Sequence, residues 1–372
     1  MTLIIRRQWQ LFDLALLILV CAFAVFGIIM VGTASSFESV TFNNQRLFFL
    51  TGIILLITAT VMDYHFITKF YIWIYALAIL LLIVTMFMPP DETKTLRWIR
   101  FGSFSIQPSE FAKLFIIIFL AKFIDMKKDS INNIFNLLLV VVLVALPAFL
   151  IMKQPALSAC MVIIFISVCI LFSAGLHIRY IIGALIILVP LLMIVAWDIQ
   201  NEERVIINKI LNSYQIGRID TFLNPTSDSD EYYQVNASLH SIGSGMLNGK
   251  GFDQDSYIPV ATNDFIFSVI GEQFGFIGCS TLLLVMLLII AKCIIIANRA
   301  PDLQGKLIAM GVAGMLAFET IVNVGVVTAI LPNTGMPFPF LSSGGSAMWI
   351  NMAAIGLVLN VGLFKTKSIF EG

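Results

Sequence analysis

The chain has 372 residues, of which 59% are hydrophobic and only 12% are charged, and its mean hydropathy is +0.97. Soluble domains carry roughly 25% charged residues, so this composition excludes an ordinary soluble fold and indicates an integral membrane protein. The 22 basic and 22 acidic residues balance to zero net charge. No bulk charge attracts nucleic acid, and nucleic acid is not expected as a partner.

The apolar runs predict an all-α bundle. As helices they can cross about 30 Å of hydrocarbon, and they are too long for barrel strands. We expect one polytopic membrane domain over residues 1–372, with ten transmembrane helices and an uncleaved first helix. In chain order the helices are predicted over residues 12–33, 46–64, 68–89, 108–124, 133–152, 157–175, 179–197, 264–293, 307–331 and 345–364.

The distribution of basic residues orients this bundle. Ten spans put both termini on one side, and the basic residues of the short connections concentrate on that side. The positive-inside rule therefore predicts that both termini are cytoplasmic. The longest polar segment, residues 198–263, then forms a large extracellular loop between helices seven and eight. A connection of that length without obvious structure is usually functional or disordered.

The fourth predicted helix carries charge within a span. It opens with QPSE (107–110), where Pro108 suits the first turn and Glu110 suits the helix dipole. Glu110 and Lys113 are three residues apart, so they share one helix face and can pair. Ionisable groups in spans usually face a bundle interior or a cavity. Both a structural ion pair that locks helices together and a functional pair fit this pattern.

Several cations belong to the predicted outer side. Lys153 precedes a proline that breaks the path between helices five and six, and Arg204, Arg218 and Lys250 lie in the long loop. Cations beside lipid suit chemistry on an anionic lipid headgroup. The alternative for Lys153 is that it only extends its ammonium group to the membrane interface. The glycine-rich IGSGMLNGKGF (242–252) does not match a phosphate-binding loop, because Gly251 follows the lysine.

Asp264 stands where the long loop enters the eighth predicted helix. An aspartate at this position can cap the helix and interact with its dipole. Among outer cations it can instead act as a base. The last outer connection, residues 331–348, is rich in Pro and Gly, which is typical of turns or of a re-entrant lining. His65, His177 and His240 are scattered, so no metal-ligand spacing is present.

Five motifs, in this order, resemble the SEDS family (shape, elongation, division and sporulation), and we favour its RodA-like elongation branch. They are RWIRFGSFSIQPSEFAK (97–113), KQP (153–155), YYQVNASLHSIGSGMLNGKGF (232–252), NDFIFSVIGEQFGFIG (263–278) and GMPFPFLSSGGSAM (335–348). The resemblance implies a peptidoglycan glycosyltransferase of the bacterial cytoplasmic membrane. Its substrate would be lipid II, its partner a class B penicillin-binding protein, and its site would face outside.

The resemblance also implies roles for single residues. Asp264 matches the family's essential aspartate and would be the general base, while Lys153 and Arg218 would contact the diphosphate. Further residues implied in substrate binding are Trp98, Arg204, Lys250, Ser343 and Ser346. A divalent cation such as Mg²⁺ or Mn²⁺ is an open option.

The chain departs from the family pattern around this proposed site. Ala156 stands where the family has Asp, Ser158 where it has Gly, Val260 where it has Glu and Ala237 where it has Gln. Two rival functions therefore stay open. A flippase for lipid-linked oligosaccharides would need a charged path across the midplane and two related halves. A weakly active scaffold for a penicillin-binding protein would tolerate the altered motifs.

Overall fold

The computed structural model describes residues 5–89, 96–101, 104–201, 204, 207, 213–223, 230–252 and 261–366. Within these residues the protein has thirteen α-helices. They are α1 (Leu14–Ser35), α2 (Val40–Val61), α3 (Tyr64–Lys69), α4 (Tyr71–Thr85), α5 (Pro108–Met126), α6 (Ile134–Lys153), α7 (Leu157–Ser173), α8 (Ile178–Gln200), α9 (Ser213–Leu223), α10 (Asp230–Ser244), α11 (Ile266–Arg299), α12 (Leu303–Val327) and α13 (Gly345–Gly362).

Two short antiparallel strand pairs accompany the helices. β1 (Ile5–Arg7) pairs with β4 (Phe364–Thr366), which brings the two ends of the described chain together. β2 (Ile99–Phe101) pairs with β3 (Phe104–Ile106) in a hairpin directly before α5. This hairpin brings the RWIRF segment close to the start of α5.

The predicted class, an all-α multi-pass membrane protein, is confirmed. In the described part of the chain, six helices are long and apolar enough to cross a membrane, namely α1, α2, α6, α11, α12 and α13, and α4 and α7 are shorter apolar helices. Several predicted boundaries differ, and the second and third predicted helices show the local causes. α2 begins at Val40 because the side chain of Ser39 accepts a hydrogen bond from the amide of Phe42 at 3.1 Å. The predicted helix over 68–89 is interrupted at Phe70, between α3 and α4.

Helix α12 is central to the bundle. It packs against α5, α7, α11 and α13, and its buried face includes several glycines. A Cβ on Gly311 would lie 2.9 Å from Ile117 of α5 and 3.0 Å from Ile170 of α7. Small residues at such positions allow close helix packing in membranes. The positions of the neighbouring helices therefore depend on α12.

The segment predicted to lack obvious structure contains two helices. α9 and α10 lie within residues 198–263, and α10 packs on α11 and α12. These two helices contain no long apolar run, so hydropathy alone does not predict them. Val260, one of the departures from the family pattern, lies outside the described residues.

Helix α11 is broken at Gly275, where φ is 63° and ψ is −161°. The turn after α10 completes the hydrogen bonding. Met246 O accepts from the amide of Phe276 at 2.8 Å, and the amide of Lys250 donates to Glu272 O at 2.9 Å. A helix break in a membrane protein is tolerated where other protein groups satisfy the freed backbone groups. The glycine-rich turn is thus a structural support for α11.

Gly275→Ala should destabilise the protein by about 2–4 kcal/mol, because this backbone geometry is nearly restricted to glycine and the pocket is full. A Cβ at Gly275 would lie 2.6 Å from Leu247 O. Gly243→Ala is the matched control, since a Cβ there has nothing within 4 Å and Gly243 lies in α10. Thermal unfolding in detergent should show a large loss only for Gly275→Ala. Equal melting temperatures for the two variants would contradict this account.

Candidate active site

A cavity of about 310 Å³ opens where six segments meet. It lies between the β2–β3 hairpin, the starts of α5 and α7, helix α9, the residues before α11 and the loop before α13. Its walls are formed by Arg97, Trp98, Gln107, Glu110, Lys113, Ala156, Ser158, Ala159, Val162, Arg218, Asn263, Asp264, Gly335, Met336, Pro337, Ser343, Gly344, Ser346 and Ala347. The wall is mixed in character, with the carboxyl groups of Asp264 and Glu110, the guanidinium groups of Arg97 and Arg218, and the ammonium group of Lys113.

Asp264 is held through its backbone. The side-chain amide of Asn323 donates to Asp264 O at 2.8 Å and to Met336 O at 2.7 Å. One buried side chain on α12 therefore fixes both the aspartate and the loop before α13. α11 begins at Ile266 with Phe265 in the N-cap position, so the capping role considered for Asp264 is not observed.

Two arginines face the carboxyl group of Asp264. Arg218, on α9, donates from Nη1 to Asn333 O at 3.1 Å. A Cβ on Gly335 would lie 3.3 Å from both Asp264 Oδ2 and Arg218 Nη1, so the two side chains converge on one point of the wall. Burial raises the pKa of Asp264, and the charges of Arg218 and Arg97 oppose this rise. The carboxyl group is therefore partly desolvated and lies beside fixed positive charge.

Arg97 is a cavity residue that the sequence reasoning did not single out. Its guanidinium Nη2 donates to Pro155 O, and its Nε donates to Gln154 O at 3.4 Å. The hairpin and the turn between α6 and α7 are thereby joined at the cavity wall. Its position immediately before Trp98 in the RWIRF motif was the available signal.

A buried triad of charges adjoins the cavity, and two of its members, Glu110 and Lys113, line the cavity wall. Lys113 Nζ is 2.7 Å from Glu110 Oε2 and also donates to Glu319 Oε1. All three side chains are at most 6% exposed. Glu319 lies on α12, one turn before Asn323, so the triad ties α5 to the helix that positions Asp264.

The remaining predicted residues fall into two groups. Trp98, Ser343 and Ser346 line the cavity, and Ser346 Oγ accepts from the amide of Gln107 at 2.9 Å. The other three predicted cations do not line the cavity and contact other side chains. Lys153 Nζ lies 5.4 Å from the ring centre of Phe149, Arg204 pairs with Asp220, and Lys250 Nζ lies 2.6 Å from Glu272 Oε1.

Two of the departures from the family pattern lie in the cavity wall. Ala156 and Ser158 line it at the start of α7, while Ala237 lies in α10. Among the described residues, no group of three or more His, Cys, Asp or Glu side chains could hold a metal ion. The divalent cation left open by the sequence therefore has no ligand set assigned to it here.

Comparisons with known proteins agree with this architecture. The family profile FtsW/RodA/SpoVE, described as "Cell cycle protein", matches residues 13–367. A "Probable peptidoglycan glycosyltransferase FtsW" of Trichlorobacter lovleyi is 31% identical over 96% of this chain and 95% of its own length. "Stage V sporulation protein E" of Bacillus subtilis is 33% identical over 95% of this chain and 97% of its own.

Solved structures show the same fold. A chain of a peptidoglycan synthase complex, described as coordinating polymerization and crosslinking, superposes with a TM-score of 0.80 at 26% identity. It covers 95% of this chain and 98% of the other. A variant of the rod shape determining protein RodA of Thermus thermophilus superposes with a TM-score of 0.70 at 25% identity, with the same coverage.

The fold and the comparisons define a multi-pass membrane protein related to enzymes of peptidoglycan synthesis. The chain belongs to the FtsW/RodA/SpoVE family, and the SEDS resemblance seen in the sequence is confirmed. Relatives from the division, sporulation and elongation branches all match, so the RodA-like branch stays a prediction.

Lys113→Met should cost about 3–5 kcal/mol, because it leaves two buried carboxylates without their cation. The triple variant Glu110→Gln, Lys113→Met, Glu319→Gln should recover most of that stability. Lys122→Met on the same helix is the control: Lys122 Nζ lies 3.9 Å from Asp125 Oδ2, donates to Gln304 Oε1 at 3.1 Å and is 28% exposed. Its loss should therefore cost only about 1–2 kcal/mol. Melting temperatures in detergent provide the measurement. Strictly additive losses among the triad variants would show that the three groups do not interact.

Proposed function

We propose that this member of the peptidoglycan glycosyltransferases polymerises lipid II, with Asp264 as the general base. The observation that carries the proposal is the convergence of Asp264 with the guanidinium groups of Arg97 and Arg218 in a single cavity. A lipid-linked sugar diphosphate offers the matching chemistry, a hydroxyl to deprotonate and a dianionic leaving group. The names of the relatives support a transferase over a flippase or a scaffold.

In the proposed reaction Asp264 removes the proton from the 4-hydroxyl of the acceptor's terminal GlcNAc. The oxygen then attacks the anomeric carbon of the donor. A new C–O bond forms as the bond to the diphosphate breaks, and its electron pair leaves with undecaprenyl diphosphate. The SEDS resemblance implies an α-linked donor and a β-1,4 product, so the configuration inverts. A raised pKa makes Asp264 a better proton acceptor near neutral pH than an ordinary carboxylate.

The leaving diphosphate is a stable anion, so no general acid has to protonate it. It needs positive charge nearby to stabilise the negative charge that it carries away. Arg97 and Arg218 flank Asp264, and guanidinium groups bind phosphate oxygens in a two-pronged geometry. Fixed donors that face the developing charge stabilise the transition state more than the ground state. We therefore assign the diphosphate to these two arginines rather than to Lys153.

The setting of the reaction follows from its substrates. Both lipid II molecules keep their tails in the membrane, so the proposed site opens toward the outer leaflet of the bacterial cytoplasmic membrane, with both termini in the cytoplasm. The synthase complex that contains the structural neighbour supports a class B penicillin-binding protein as the partner of this chain. Such a partner would crosslink the strands that this chain makes.

Asp264→Asn should reduce polymerisation by about 10²–10⁴-fold, because the amide cannot accept the proton. The measurement is labelled lipid II with purified protein, alone and with its partner, followed by product analysis. Asp220→Asn is the control, since it removes a carboxylate of α9 that pairs with Arg204. It should leave the rate within a few-fold of the parent. Full polymerisation by Asp264→Asn would refute the assignment of the base.

Arg97→Gln and Arg218→Gln should each reduce the rate at saturating lipid II by about 10²-fold or more, as loss of a transition-state donor does. Arg97→Lys, which keeps the charge, should recover part of the rate. Lys153→Gln should stay close to the parent, because Lys153 packs on Phe149 and does not line the cavity. A steady-state rate measured over a range of lipid II concentrations separates turnover from binding. Loss of turnover in Lys153→Gln with a normal Arg97→Gln would reverse the assignment.

A further inference from the structure

A second hollow, of about 240 Å³, lies beside the cavity and shares one residue with it, Arg218. Its walls come from α9, α10 and the turn after α12. Phe222, Tyr232, Asn236, Leu239 and Asn333 line it together with Arg218. None of the residues described so far as acting on the substrate belongs to it apart from this arginine.

The α10 wall has a regular pattern. Tyr232, Val235, Asn236 and Leu239 follow the spacing i, i+3, i+4 and i+7, which places them on one helix face. The opposite wall contains Ala329, a non-glycine residue with φ of 55°. This left-handed residue ends α12, and the amide of Ile330 donates back to Gly325 O at 2.8 Å, as is common at helix C-termini.

The chemistry of the wall suits a sugar ring. Aromatic rings offer flat apolar faces to the C–H groups of a pyranose, and side-chain amides both donate and accept hydrogen bonds. The wall is mainly apolar, so a polyprenyl tail is the competing occupant, and the side-chain amide of Asn236 is what favours a sugar ring over it. The hollow also belongs to α9 and α10, which lie in the polar segment between spans. Its volume is below the roughly 300–1,000 Å³ of sites for drug-sized ligands, which suits one ring.

We propose that this hollow is a saccharide subsite that holds an N-acetylated pyranose ring of the growing glycan strand. The inference rests on the proposed function, because Arg218 at the shared wall would contact the diphosphate while the hollow takes a sugar attached to the same chain. Its role is to retain the strand between successive additions. Loss of the subsite should therefore shorten the product and leave the first coupling of two lipid II molecules largely intact.

The test compares two adjacent tyrosines of α10. Tyr232 lines the hollow, whereas Tyr233 is 45% exposed and lies outside its lining. Tyr232→Ala should reduce the ratio of elongation to release by about fivefold, which corresponds to ~1 kcal/mol of binding, and shorten the glycan accordingly. Tyr233→Ala should give parental lengths. Tyr232→Phe, which keeps the ring, should give most of the parental length and shows that the fold tolerates change at this position.

A competition experiment identifies the occupant. Soluble N,N′-diacetylchitobiose, added to the parent protein during lipid II polymerisation, should shorten the products, and it should have little further effect on Tyr232→Ala. Farnesyl phosphate should not reproduce this pattern; if it alone did, the hollow would be a tail site and the proposal would be overturned. Parental glycan lengths from Tyr232→Ala would overturn the subsite while leaving the proposed function intact. A parent protein that makes no glycan would overturn both.

Discussion

The contact between Lys113 and Glu319 joins the two helices on which the site depends. A lone buried ammonium group would be strongly destabilising, so Lys113 holds Glu110 on its own helix and Glu319 on α12 close to it. One turn further along α12, Asn323 fixes the backbone of Asp264 and of the loop before α13. The position of the proposed base is thus set by buried polar contacts that tie α5 to α12.

The same need to satisfy polar groups explains the irregular segments. The loop before α13 is not part of a helix or sheet, so its backbone groups need partners from elsewhere. Gln45 of α2 supplies two of them. Its Nε2 donates to Ser342 O at 3.1 Å, and its Oε1 accepts from the amide of Gly344 at 3.2 Å. Ser343 N donates to Thr262 O at 2.7 Å, which joins this loop to the segment before α11. Non-helical backbone in such a bundle is stable only where protein groups or water in a cavity can form hydrogen bonds with it.

Much of the fold could be predicted from the sequence because hydropathy is a local property. The apolar spans followed from it. The site residues came from the SEDS resemblance, and Asp264, Arg218, Trp98, Ser343 and Ser346 do line one cavity. What depends on distant contacts could not be predicted. Lys153 is close to Pro155 in the chain, yet it is Arg97, from the β2–β3 hairpin, whose guanidinium reaches the carbonyl of Pro155. Likewise, nothing local to Gly275 indicates that a turn after α10 would complete its helix.

Arg218 connects chemistry with retention of the strand. It stands between the cavity and the second hollow, and its contact with Asn333 O anchors it to the turn after α12. A diphosphate that moved the guanidinium group of Arg218 would also change the wall of the hollow. Under the two proposals, binding at the two places would therefore be coupled, and the coupling would be reciprocal. Such an arrangement would suit an enzyme that adds units repeatedly. Departure of the diphosphate would change the affinity of the hollow for the glycan strand just when the strand must move.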